Sequence, residues 1–296
     1  MRFRALKVLA KGWRRNERAI AAVRSALRDP DTVNRLVAVE ALLRMEAMDD
    51  ETIGALLRAL KEDESPSVRA KVAQVLGIMR RASPNVIEGL REAALRDGEN
   101  EVRYQALEAL ATLGEEIPLE ALGDANEEMR EKVVTLLGHA RDNRPEAHKA
   151  LRQIALRDED ALIRASAIWA LGAIGSSTSE TIQALLEALR DKEAKVRAEA
   201  ARVLGLVGLG KEEVSVALRG CLHDPAAEVR GHAILGLHIV SPGLAVHVFT
   251  TTKSAGSGGV CFTLGKMWSC SACTIVVTRF IFLSASSGGR GIPSLL

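Results

Sequence analysis

Seven times along this chain of 296 residues an aspartate is followed six residues later by an arginine: Asp29/Arg35, Asp63/Arg69, Asp97/Arg103, Asp124/Arg130, Asp158/Arg164, Asp191/Arg197 and Asp224/Arg230. Successive pairs stand 34, 34, 27, 34, 33 and 33 residues apart. Solvated surface charges have no reason to keep such a register, whereas a supersecondary unit used over and over imposes one.

Counting from each arginine gives an independent check. Seven residues on stands leucine in every unit: Leu42, Leu76, Leu110, Leu137, Leu171, Leu204 and Leu237. Apolar residues recur at −1, except for Asn34 in the first unit, and at +3, +4, +7 and +10, which is one face of a 3.6-residue helix. Each arginine is therefore expected to begin a helix. Earlier amphipathic stretches, such as those at 51–60, 147–156 and 180–189, end just before an aspartate and predict a first helix in each unit. Gly77, Gly138, Gly172 and Gly205, eight residues past their arginines, suggest close approach by a neighbouring helix. One helix pair cannot bury both its faces, so the units must stack into a continuous core. Aromatics at only 3% alongside 47% apolar residues fit closely stacked helices better than a sheet core.

The pattern resembles HEAT repeats, particularly the short HEAT-like units of phycobilin lyases, from about Met1 to Ser241. The resemblance implies an all-α fold: an α-solenoid of stacked antiparallel helix pairs, about seven repeats after an N-terminal half repeat. It further implies that the seven Asp/Arg pairs form ladders between repeats, and that a concave binding surface is lined by the second helices. Arg164→Ala is expected to destabilise by about 1–3 kcal/mol if the side chain is partly buried, and by less than about 1 if it is exposed.

The pattern breaks in three places. Arg2, Ala5 and Leu9 match Arg35, Ala38 and Leu42, so the chain starts inside a second helix, as a segment of a longer protein would. The same register accounts for the basic first residues better than a targeting peptide does. The fourth unit is seven residues short and contains Pro118, which predicts a stunted first helix near 115–123. No acidic residue follows Glu228, and Ser, Gly and Thr dominate after Pro242. The expected division is therefore a repeat domain at 1–241 and a flexible or foreign tail at 242–296 that adds little stability.

Chemistry is sparse. Cys270 and Cys273, with Cys261 and His247, make one ligand pair where structural zinc sites show two. None of His139, His148, His223, His232 and His238 is followed by Glu, so the His-Glu pairs of HEAT-like deoxyhypusine hydroxylases are missing. Residues 205–210, GLVGLG, sit at a helix end, where they read as a C-cap and not a phosphate loop. A formal charge of +2 and few aromatics in the repeats argue against nucleic acid as a partner. The longest apolar run, 273–283, is interrupted by Arg279 and falls short of a membrane span. The absence of cysteine before Cys221 fits a reducing, cytoplasmic setting.

No catalytic, cofactor or metal residue is expected, and the leading expectation is a protein-binding scaffold. Two alternatives remain: a regulatory HEAT segment of a larger NTPase-like or signalling protein, and a phycobilin-lyase-like enzyme subunit. The residues two and five places after each arginine escape the apolar stripe. They are Val37 and Glu40, Lys71 and Gln74, Gln105 and Glu108, Lys132 and Thr135, Ser166 and Trp169, Glu199 and Arg202, then His232 and Leu235. Lys71 through Arg202 in that series are the candidate partner-binding residues. Trp169 reads equally well as core or as a binding anchor flanked by Lys132 and Arg202.

Overall fold

The computed structural model describes residues 2–13 and 16–240, all within one compact unit, Met1–Ala245. Expectations for 242–296, including the cysteines there and His247, lie outside the described residues. Fourteen α-helices and no strand occur among the described residues: α1 (Arg2–Gly12), α2 (Glu17–Ser25), α3 (Thr32–Arg44), α4 (Asp50–Glu62), α5 (Pro66–Ile78), α6 (Pro84–Arg96), α7 (Asn100–Leu113), α8 (Glu127–Ala140), α9 (Pro145–Arg157), α10 (Ala161–Ile174), α11 (Ser179–Ala188), α12 (Ala194–Val207), α13 (Glu212–Cys221) and α14 (Ala227–Val240). The fold is the expected all-α solenoid.

Second helices pack on second helices in the order α1, α3, α5, α7, α8, α10, α12, α14, and the first helices form a parallel layer in which α4 meets α6 and α9 meets α11. The tight turn between the two helices of a unit is built by the recurring aspartate. In all seven turns its carboxylate accepts the backbone N–H two residues on, as from Ser65 to Asp63 (2.9 Å) and Glu193 to Asp191 (2.8 Å). The second helix then starts three residues before the arginine, not at it. The register marked the arginine because it points back into the turn, while the cap lies upstream: Asp31, Asn126 and Asp160 accept from first-turn amides, and Pro66 occupies a first position where no N–H is needed.

Stacking closeness is set by the glycines. A Cβ on Gly205 would lie 2.5 Å from the Gly236 Cα, and one on Gly77 would lie 2.8 Å from the Ala109 Cα, so backbones meet directly between α12 and α14 and between α5 and α7. Gly208 caps α12 without a left-handed conformation, and the left-handed residue of GLVGLG is Gly210.

The shortened unit has a single 3₁₀ segment, Leu119–Gly123, in place of a first helix. Arg144, just before α9, staples it in place: its guanidinium donates to the Ile117 carbonyl (2.8 Å), to Glu116 (3.1 Å) and to Asp142 (2.6 Å). Arg81 makes the comparable reach to the Met48 carbonyl and Asp50.

Candidate partner-binding surface

Two rows of side chains run along the stack, and their geometry differs. The first is the Asp/Arg row. Every one of the seven arginines donates through Nη1 to the carbonyl of its own unit's aspartate, at 2.8–3.0 Å. Six also reach the aspartate carboxylate of the following unit. Arg35 to Asp63 (2.8 and 3.0 Å), Arg69 to Asp97 (2.7 and 2.8 Å), Arg164 to Asp191 (2.8 and 2.9 Å) and Arg197 to Asp224 (2.8 and 2.9 Å) are two-pronged and short. Arg130 to Asp158 is longer, at 3.2 and 3.4 Å. Across the shortened unit Arg103 touches Asp124 through Nη2 alone (2.8 Å), and its buried Nε has no partner. Losing a first helix moves the next turn out of the position that a two-pronged contact needs. The described residues offer Arg230 no following aspartate.

This row is a joint between units, because a planar guanidinium fork fixes both distance and rotation of the next turn. Burial raises the Asp97 and Asp191 carboxyls, but the hydrogen bonds from Arg69 and Arg164 overcome it and leave both below the usual carboxylate range. Asp224 is lowered chiefly by its hydrogen bond from Arg197.

The second row is the second-helix face. The residues two and five places after each arginine are half-buried, apart from the exposed Glu108. Several satisfy one another along a single helix: Lys71 donates to Gln74 (2.8 Å), Gln105 to Glu101 (3.0 Å) and Arg202 to Glu199 (2.6 and 2.9 Å). Lys132 lies 4.8 Å from the centre of the Tyr104 ring and 3.0 Å from Glu128. The two cations expected to flank Trp169 are thus already engaged. Trp169 itself is half-buried: its ring covers Gly138, where a Cβ would meet it at 2.6 Å, and stacks edge-on to His139 at 5.0 Å between centroids. It also walls an open depression of about 230 Å³ with Ser166, Lys195, Glu199, Glu228 and His232. A similar hollow of about 240 Å³ is lined by Tyr104, Lys132, Thr135 and His139. Thr135 and Ser166 thus fall in different hollows, with the His139–Trp169 pair between them. Tyr104, His139, Lys195 and Glu228 were not among the candidate binding residues; Tyr104 lies one place before its column and the other three lie four places, about one helical turn, outside theirs, on the same helix face.

A larger cleft, about 680 Å³, lies elsewhere, beside the first joint, where Arg24, Arg28, Arg35 and Arg58 are offset by Asp29, Glu62, Asp63 and Glu64. Among the described residues no cluster of His, Cys, Asp and Glu could hold a metal, and no helix is long and apolar enough to cross a membrane.

One buried polar group stands apart from both rows. His148 on α9 occupies the place ten residues before its aspartate that Ile53 and Ile87 hold in other units. Its Nδ1 lies 3.2 Å from the Ser176 hydroxyl, which pairs with Thr181 at 2.8 Å, and its Nε2 is buried without a partner. Burial, and then Arg152, push the imidazole below its ordinary range. Its depressed pKa means that the unfolded chain takes up the proton first, so stability present above about pH 6.5 is lost as pH falls. The lowered carboxyls Asp97, Asp191 and Asp224 contribute stability that is present above about pH 4 and lost below it. The melting temperature should therefore fall in two limbs on acidification, and His148→Ile should shrink the upper limb, to which His232, also lowered by burial, contributes the rest, while leaving the lower. An unchanged upper limb in that variant would assign the loss to another group.

The profile of the family described as HEAT repeats matches residues 53–123, 115–195 and 182–242. These matches span most of the chain, and the chain belongs to the HEAT repeat family. Among solved structures it is similar to Kap121p, with 14% identity, a TM-score of 0.52, and coverage of 78% of this chain and 30% of that one. It is also similar to Kap95p, solved with RanGDP, with 14% identity, a TM-score of 0.50, and coverage of 75% and 35%. The CpcE–CpcF phycocyanin lyase of Nostoc aligns at 16% identity and a TM-score of 0.40, over 78% of this chain and 92% of that one. The likenesses to the two karyopherins show the fold. A comparison with curated proteins gives no match.

Proposed function

We propose that this chain is a protein-binding scaffold whose partner lies along the second-helix face, the concave side of a HEAT solenoid. The observation that carries this reading is the pair of hollows on either side of the His139–Trp169 contact. Stacking consumes the Asp/Arg row but leaves these hollows open, with an aromatic wall, charges of both signs and varied side-chain size. Such a surface suits an irregular protein partner better than a repetitive phosphate backbone. Kap95p, a protein of the same fold, is a protein-binding solenoid in its complex with RanGDP. We assign the chain no catalysis of its own. The Ser176–His148 hydrogen bond, which superficially pairs a nucleophile with a base, is buried within the stack, where no substrate would reach it. Cysteine usage supports a cytoplasmic setting.

Photocrosslinking tests the reading. A benzophenone side chain placed at Gln105, Thr135 or Ser166 should trap a discrete partner from source-cell extract. The same group at Lys149 or Glu187, exposed on first helices, should not. Equal trapping from both layers, or trapping only from the first helices, would remove the second-helix face as the binding surface.

A further inference from the structure

The molecule contains its own example of what its second-helix face can hold. The Lys132 ammonium sits over the Tyr104 ring at 4.8 Å and on the Glu128 carboxylate at 3.0 Å, a cation between a π-face and an acid. Around Trp169 the same kinds of group recur with Ser166 in place of the cation, at the position two after its arginine where α8 has Lys132: a larger ring and Glu228, while Glu199 is held by Arg202 and Lys195 stands at the rim. The charge left over on this face has one sign in excess. Lys132 is taken by Glu128 and Arg202 by Glu199, which leaves Lys71 and Lys195 against Glu101, Glu108, Glu131 and Glu228, none of them in an ion pair among the described residues.

We infer that the Trp169 hollow receives a lysine or arginine side chain from a basic, extended segment of the partner protein, with the cation against the indole and near Glu228. This rests on the second-helix face being the binding surface and names the chemistry of its occupant. A hollow of about 230 Å³ open to solvent suits a single long side chain. Its wall already fixes the ring: Gly138 beneath and His139 at the edge hold Trp169 in place, so little ordering remains to be done on binding. Lys195 at the rim opposes a second cation, and this gives the inference a signature that a purely apolar pocket would lack.

The test uses the full chain and three fluorescein-labelled octapeptides, alternating glycine with arginine, serine or glutamate, read by anisotropy at about 0.15 M salt so that long-range attraction is screened. The arginine peptide should bind at least about tenfold more tightly than either of the others. Glu228→Gln should weaken it about threefold and Lys195→Gln should strengthen it by a similar factor, both positions being exposed. Trp169→Leu should weaken it about tenfold. That variant also loosens the contact with Gly138, so the two surface substitutions carry the decision if it folds poorly. Equal binding of the arginine and glutamate peptides, or indifference to both Glu228→Gln and Lys195→Gln, overturns the inference. A serine peptide that binds as tightly as the arginine peptide and needs Trp169 also overturns it while leaving the binding face intact. Failure of the crosslinking at Gln105, Thr135 and Ser166 would instead remove the face itself.

Discussion

Arg164→Ala is expected to lower the unfolding free energy by about 3 kcal/mol, because it empties one side of a buried charge pair without emptying the other. The Arg164 side chain is 6% exposed and Asp191 13%. The substitution removes two carboxylate hydrogen bonds and two carbonyl contacts, to Asp158 and Glu159, and leaves a desolvated carboxylate behind. Arg103→Ala provides an internal control. Arg103 holds its next-unit aspartate by one prong and already carries an unpartnered Nε, so its loss should cost roughly 1 kcal/mol less. Chemical denaturation of both variants checks the ordering, and equal costs would mean that the two-pronged geometry contributes nothing to the joint. Adding Asp191→Ala to Arg164→Ala should recover part of the loss, since no buried charge is then left alone.

Gly205→Ala should destabilise by about 2 kcal/mol although alanine is the better helix former by about 1 kcal/mol. The added Cβ would lie 2.5 Å from the Gly236 Cα, and neither backbone can swing aside as a side-chain tip could. Gly231→Ala on the adjoining α14 meets nothing within 4 Å and should be neutral or stabilising. Thermal melts of the two variants separate packing from propensity. Equal behaviour would show that α12 and α14 do not meet at the glycines.

Most of the fold was legible because a solenoid writes the same instruction many times. Seven aspartates, seven arginines and seven leucines in register define the turn, the joint and the buried face without any long-range knowledge. The glycines at Gly77 and Gly205 were equally readable, since removing a Cβ eight residues past the arginine has an obvious use at a helix crossing. The departures depend on how repeats sit against one another. Nothing local to Arg103 says that its rung has a single prong; that follows from the missing first helix, whose 3₁₀ remnant begins sixteen residues further along the chain. Arg144 reaches back to Ile117 and His148 forward to Ser176, and neither contact follows from a periodicity within one unit. On the second-helix face, counting two and five places from the arginine picked out residues that line both hollows, among them Thr135, Ser166 and Trp169. It missed His139, because a side chain at the end of one helix packs against a ring from the next.

The claim that the second-helix face is covered by a partner can be measured most directly at Trp169. With Trp13 and Trp268 replaced by phenylalanine, Trp169 is the only indole, and its ring is open on the side of the 230 Å³ hollow. Acrylamide quenching of its fluorescence should be moderate in the free chain and drop severalfold when the partner identified by crosslinking is added to saturation. Quenching that stays the same in the saturated complex would mean the partner binds elsewhere.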